Sequence, residues 1–204
     1  MRKIIGILLL LTGFSLLFYP QFERKKFDAD QQELMNAFVQ LGEWKEREFA
    51  ESEKLQEEED VIAPLQLADG VKGILEIDKI DLQIALFDQA TEENLLKGVG
   101  IIEPEKEIGK QNIGIAGHRS TTKGKQFNRL GELKEGDRIQ IKTYADTYTF
   151  NVTKTYVVHQ SEISVLKDQT DPMITLVTCT PLGSRNPPDR LIVQAQLIEG
   201  EEVK

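Results

Sequence analysis

The stretch Arg138–Val158, RIQIKTYADTYTFNVTKTYVV, decides the fold. Arg138-Ile139-Gln140-Ile141-Lys142 alternates polar and apolar residues, and Tyr148-Thr149-Phe150-Asn151-Val152 repeats the pattern after a short break. A period of two places one apolar row on a single face of an extended chain, which predicts two half-buried strands. Val157-Val158 extends the second strand.

The same texture recurs on both sides. Gly73–Ile80 and Leu82–Leu86 are short alternating runs, Asn112–Gly117 is a small-residue strand, and Met173–Thr180 and Leu191–Leu197 complete the set. Two short helices interrupt them. Thr91–Gly98 has a Thr cap and a Gly stop, and Lys125–Leu133 places Phe127, Leu130 and Leu133 on one side. About eight strands with so little helix point to an all-β domain, a closed or nearly closed barrel in preference to a sandwich.

The strands begin only after Pro64. Arg2 and Lys3 precede the uncharged apolar stretch Ile4–Tyr19, ended by Pro20. At about 1.5 Å per residue it covers most of a hydrocarbon core roughly 30 Å thick. No small-x-small cleavage site follows, so the expectation is an uncleaved N-terminal transmembrane helix, with Tyr19 and Phe22 at the interface. From Phe27 to about Asp60 helix formers dominate, and Phe27, Leu34, Phe38 and Leu41 form a narrow apolar stripe. This reads as a helical spacer lying on the membrane or on the domain, since too few heptads are present for a coiled coil. The expected division is 1–22 as anchor with a short cytoplasmic end, 23–68 as charged spacer, and 69–204 as an extracellular β-barrel domain.

Charge narrows the function. The net charge is −9, but nine acids against three bases lie between Glu43 and Asp60, and the remainder is near balance. No basic face offers itself to nucleic acid. The acidic stretch keeps its segment solvated and extended.

Cys179 is the only cysteine, at the end of Ile174-Thr175-Leu176-Val177-Thr178-Cys179-Thr180-Pro181. An exported chain leaves it without an internal disulfide partner, which makes its reactivity the first candidate for chemistry. Alternation puts Thr175, Val177 and Cys179 on one sheet face, and Pro181 ends the pairing, so the thiol lies at a rim. Arg190 opens the next strand and reads either as an ordinary strand-end surface arginine or as a guanidinium beside the thiol, where it would favour the thiolate and bind a carbonyl oxygen. His118 stands where a strand gives way to a loop. The other histidine, His159, reads as a surface residue.

These pieces resemble the sortases, membrane-anchored cysteine transpeptidases of Gram-positive bacteria. The resemblance rests on Ala116-Gly117-His118-Arg119, Phe127-Asn128-Arg129-Leu130, Gly136-Asp137, Thr175–Pro181 and Arg190-Leu191-Ile192-Val193, in family order over about residues 70–198. It implies an eight-stranded barrel in which Cys179 is the nucleophile, His118 the proton donor and acceptor, and Arg190 the residue that positions substrate and stabilises the oxyanion. Ala116, Val165, Leu166, Val177 and Thr178 match groove-lining positions. The implied substrates carry a C-terminal Leu-Pro-x-Thr-Gly or Leu-Pro-x-Thr-Ala signal. The implied acceptor is a peptidoglycan-precursor amine.

Short loops and the Cys-Thr-Pro ending resemble class D, with a class A-like enzyme second. Ala63-Pro64-Leu65 is not the lid motif of the pilus-building class C, which stays as an alternative beside a non-catalytic binding barrel. Glu162, Asp168 and Asp171 before the cysteine strand are too generic to assign calcium, so no cofactor or metal is expected.

Overall fold

A computed structural model describes residues 2–50, 68–184 and 186–202. The acidic stretch beyond residue 50 and Ala63-Pro64-Leu65 lie outside these. Eight strands close into a barrel: β1 (Val71–Ile77), β2 (Leu82–Phe87), β3 (Val99–Ile101), β4 (Asn112–Ala116), β5 (Arg138–Lys142), β6 (Asp146–His159), β7 (Met173–Thr180) and β8 (Asp189–Glu202). The order around the wall is β1-β2-β3-β4-β7-β8-β6-β5, and β5 returns to pair with β1. Two neighbouring pairs, β2 with β3 and β4 with β7, run parallel; the others are antiparallel.

The alternation seen in the sequence sorts the wall. Ile139 and Ile141 of β5, Phe150 and Val152 of β6, Ile174 and Leu176 of β7, and Val193 and Ala195 of β8 all enter one buried cluster. β6 is one strand of 14 residues. Its register against β8 shifts at Thr149/Phe150 and Val152/Lys154. Bulges of this kind bend a strand without ending it, so the two expected pieces are continuous. β3 was not anticipated, because three residues are too few to display an alternation.

The expected helix after Thr91 is α2 (Glu92–Lys97), capped by the Thr91 hydroxyl, which accepts from the Asn94 N–H. The expected helix near Phe127 is a tighter 3-10 turn, Phe127–Glu132, with Phe127 and Leu130 buried. Two more 3-10 turns, Asp78–Ile80 and Ile163–Leu166, add to the two helices expected.

One long helix, α1 (Arg2–Ala50), precedes the barrel and runs through Pro20. Among the described residues no helix is long and apolar enough to cross a membrane, so the anchor expected over Ile4–Tyr19 is not shown. The second half of α1 is not a free spacer. Met35, Ala37, Phe38 and Leu41 pack with Val71, Ile74, Ala85 and Phe87 of β1 and β2, and the Phe38 ring stacks on Tyr144 at 3.9 Å. Leu34 packs against the same cluster, and Phe27 joins the barrel's main core. The stripe read from the sequence therefore lies on the domain. Each large side chain buried there contributes on the order of 2 kcal/mol.

Candidate active site

Strand pairing assembles the site at one end of the barrel. In β7, Ile174, Leu176 and Thr178 take the inward row, which leaves Thr175, Val177 and Cys179 on the outer face. Cys179 is a free, half-buried thiol one residue from the strand's end. Directly opposite it in β8 is Arg190. Facing residues of an antiparallel pair project to the same side, with Cα atoms about 5 Å apart. The 3-10 turn and loops do not intervene; the two are ladder neighbours.

The Arg190 guanidinium is held in place. One terminal nitrogen donates to the carbonyls of Pro187 (2.8 Å) and Asp189 (2.9 Å), and the other to Gln160 Oε1 (3.1 Å). Gln160 follows the end of β6, so the β6–β7 loop also fixes the arginine. His159 lies beside it, opposite Asp189, exposed and with Nδ1 2.8 Å from Ser161 Oγ.

His118 arrives by the parallel pairing of β4 with β7. Ala116 is opposite Val177, and the Gly117 N–H continues the ladder by donating to the Val177 carbonyl at 3.1 Å. The Thr178 hydroxyl donates to the Gly117 carbonyl at 2.7 Å. One step further, exposed His118 reaches the level of Cys179, sixty-one positions away in the chain. Gly117 is required by crowding: a Cβ there would stand 2.6 Å from the Phe127 ring and 2.8 Å from Val99 Cγ1.

Arg119 was read only as part of a motif. In the fold it donates to Thr180 Oγ1 at 2.7 Å, tying the histidine's loop to the cysteine's strand. Nothing local in the sequence marks that contact.

Of the groove residues, Ala116 and Val177 are half-buried neighbours beside the site. Val165 and Leu166 sit on the 3-10 turn Ile163–Leu166, which lies against β4; a Cβ on Gly114 would be 2.7 Å from Leu166 Cδ2. Thr178 differs. Its side chain is buried in the inward row, so only its backbone is on the Cys179 side.

A buried polar network holds that turn. Val165 O accepts from Asn112 Nδ2 (3.0 Å), Gln194 Nε2 (3.3 Å) and Thr175 Oγ1 (3.4 Å), and Thr175 Oγ1 also donates to Asn112 Oδ1 (2.8 Å). Asn112 and Thr175 are fully buried. Beside them Lys106 Nζ lies 2.9 Å from Glu103 and 3.1 Å from Asp168. Burial alone would lower the Lys106 pKa, but hydrogen bonds to the two carboxylates outweigh it and the net direction is up. The Lys106 hydrogen bond, helped by the Asn112 N–H, holds Asp168 below the usual range. A polar residue opening a small-residue strand was the one signal that could have flagged Asn112.

The acids before β7 are engaged within the chain: Asp168 by Lys106, Asp171 by Gln196 (2.7 Å), and Glu162 by the Ser164 N–H (3.2 Å). Among the described residues no group of three or more His, Cys, Asp or Glu could hold a metal ion.

Comparison with known proteins bears on this geometry. The Sortase domain family matches residues 75–198. Sortase A of Bacillus anthracis is 27% identical over 201 residues, covering 96% of this chain and 94% of that one. Sortase D of Bacillus subtilis is 30% identical over 131 residues, 62% of this chain and 63% of its own. Among solved structures, a Sortase D5 transpeptidase of Clostridium perfringens superposes with a TM-score of 0.62 at 26% identity, covering 84% of this chain and 99% of that one.

Proposed function

The chain belongs to the sortase family of cysteine transpeptidases, and on that premise we propose that Cys179, His118 and Arg190 carry out its reaction. The Cys179 thiolate attacks the threonine carbonyl of a Leu-Pro-x-Thr-Gly or Leu-Pro-x-Thr-Ala signal. The peptide C–N bond then breaks, and His118 gives its proton to the departing amine. A thioester joins the surface protein to Cys179. An amine of the peptidoglycan precursor attacks that thioester, His118 takes the amine's proton, and the Cys179 thiolate leaves. Arg190 donates to the carbonyl oxygen as its charge grows.

The observation that carries this assignment is the pairing: Cys179 faces Arg190 in the β7–β8 ladder, and the β4–β7 ladder leads into His118. Ala116, Val177, Val165 and Leu166 supply an apolar lining for the signal, with the Thr178 backbone beside them. No cofactor or metal enters these steps. The motif pattern favours class D over a class A-like enzyme. The N-terminal stretch Ile4–Tyr19, behind Arg2 and Lys3, is the proposed anchor, with the N-terminus cytoplasmic and the barrel extracellular.

The test is the full chain in detergent micelles with both signal peptides and a panel of amines. Cleavage and amine-dependent ligation are expected, and both should vanish in Cys179→Ala. No turnover of any peptide, together with thiol alkylation unaffected by His118→Ala, would refute the assignment. Lysine-linked pilin ladders in cells would instead place the enzyme in class C.

A further inference from the structure

We propose that α1 belongs to the catalytic machinery, with Glu23 acting as a positioning residue that clamps the loop carrying His118. The proposal rests on the reading of His118 as the proton-transfer residue.

The loop leaves β4 at Gly117 and returns to the core at Phe127. Its neck is closed by the Phe127 N–H donating to the His118 carbonyl (3.1 Å) and by an antiparallel bridge between Arg119 and Gln126. His118 therefore sits at the neck, and residues 120–125 project beyond it. Inside the projection, the Thr122 N–H donates to Ser120 Oγ (3.1 Å) and the Lys125 N–H to the Thr122 carbonyl (3.2 Å). These bonds shape the tip, and Asn128 of the Phe127–Glu132 turn holds its two ends, the side-chain amide donating to the Ser120 carbonyl and the N–H to the Lys125 carbonyl (3.2 Å).

Helix α1 adds a hold on two side chains of the tip that the Asn128 bonds do not engage. One Glu23 carboxylate oxygen accepts from Thr122 Oγ1 at 3.0 Å, and the other accepts from Lys125 Nζ at 2.9 Å. The two prongs span the tip. Thr122 is buried in this contact, and the Lys125 side chain is only 21% exposed. The Glu23 side chain is itself 37% exposed, so the pair is partly open to solvent, but its hydrogen bonds are charge-assisted and stronger than neutral ones. Hydrogen bonding by Lys125 and then Thr122 lowers the Glu23 pKa, so the carboxylate stays charged through neutral pH.

The contact extends along one face of α1. Lys125 Nζ also lies 5.3 Å from the Phe27 ring centroid. Gly124, at φ +81°, accepts the Arg24 guanidinium so closely that a Cβ would stand 2.8 Å from its Cζ. Two turns on, Gln31 fastens the helix to the barrel: its Oε1 accepts from the Ala85 N–H (2.9 Å) and its Nε2 donates to the Lys97 carbonyl. Phe38 and Leu41 dock α1 independently of Glu23. The Glu23 clamp is thus not needed to hold the helix down; its distinct consequence is a fixed loop. Arg119 staples the same loop to Thr180 on the other side, so the His118 neck is held between the cysteine strand and α1.

Proton transfer needs a donor within hydrogen-bond reach of the leaving amine, and a small misplacement is costly to the rate. Loosening the clamp should therefore slow the chemical step while leaving the groove intact. A protein begun at residue 68 would lack the clamp entirely.

The experiment uses the full chain in detergent micelles, comparing wild type with Glu23→Ala, Glu23→Gln, Lys125→Glu and the exchange Glu23→Lys with Lys125→Glu. Turnover of the signal peptide is measured together with amide hydrogen exchange over residues 119–126. Glu23→Ala is expected to lower kcat about tenfold with KM within about twofold. Its loop amides should exchange faster, while those of Ile174–Leu176 keep their protection. Glu23→Gln, which keeps an acceptor for Thr122, should fall between, and the charge exchange should recover part of the loss. Unchanged loop exchange in an active Glu23→Ala protein overturns the clamp. So does a loss of kcat accompanied by lost protection in β7, which would be general destabilisation. Absence of turnover in the wild type overturns the transpeptidase assignment itself, and with it the catalytic role of the clamp.

Discussion

Cys179 and Arg190 are direct partners across the β7–β8 ladder, and the Arg190 guanidinium is pinned by two carbonyls and by Gln160 Oε1. The pinning presets the direction of a five-donor fork before any ligand arrives.

Arg190→Lys should therefore act as a severe change, because an ammonium cannot hold the rim carbonyls and present a second donor in a fixed plane. A loss of about 100-fold in kcat/KM is expected, of the size seen when an oxyanion donor is removed. Gln160→Ala, which frees only one nitrogen, should cost severalfold. Steady-state cleavage of the signal peptide by the two variants checks the ranking.

Gly117→Ala tests the crowding next to His118. Its Cβ would overlap the Phe127 ring and Val99, and forcing a methyl into a filled core costs about 1–3 kcal/mol. The urea midpoint should fall accordingly, with turnover falling further because the displaced strand end carries the histidine.

Asn112→Leu removes the hub of the network under the Ile163–Leu166 turn. The Val165 and Lys167 carbonyls would each lose a donor and Thr175 its acceptor. Val165 O keeps Gln194 and Thr175 and Lys167 O keeps Gln169, so each lost hydrogen bond costs about 0.5–1.5 kcal/mol. Because this turn carries Val165 and Leu166, KM for the signal peptide should rise more than kcat falls.

Lys106 and Asp168 set a pH signature for the same turn. Asp168 has a lowered pKa in the fold, so its contribution is complete above the ordinary aspartate value of 3.8 and is lost as pH falls through the folded value. Lys106 is raised, so its contribution is complete below the ordinary lysine value of 10.5 and is lost as pH rises through the folded one. Between these limits the pair is insensitive to pH. The Tm difference between wild type and Lys106→Met should be constant from pH 5 to 9 and shrink towards zero in stronger acid, as a thermal melt series would record.

Much of this was legible in the chain. Period-two alternation located β1, β2, β5 and β6, since a side chain's face follows from its parity alone, and apolar or small-residue runs marked β4, β7 and β8. Parity also put Cys179 on one face with Thr175 and Val177 near a strand end, and the motif pieces brought His118 and Arg190 to attention. The stripe Phe27, Leu34, Phe38 and Leu41 announced a helix with one sticky side, though not what it would stick to. β3 escaped because three residues carry no period. Thr178 was assigned to the groove by its place in a motif, whereas parity turns its side chain inward.

Local pattern, then, determined every strand but β3 and which residues share a face, because these depend on residues a few positions apart; His118 and Arg190 were singled out by the motifs of the resemblance. Tertiary structure alone decided which strands are neighbours. The parallel β4–β7 pairing that brings the His118 end of β4 level with the Cys179 end of β7 leaves no trace in local composition. Nor do the Arg119–Thr180 staple and the Glu23 contact with Thr122 and Lys125, about a hundred residues apart. Such contacts form only when the barrel closes and α1 lies along it, because their partners meet through the packing of the whole chain.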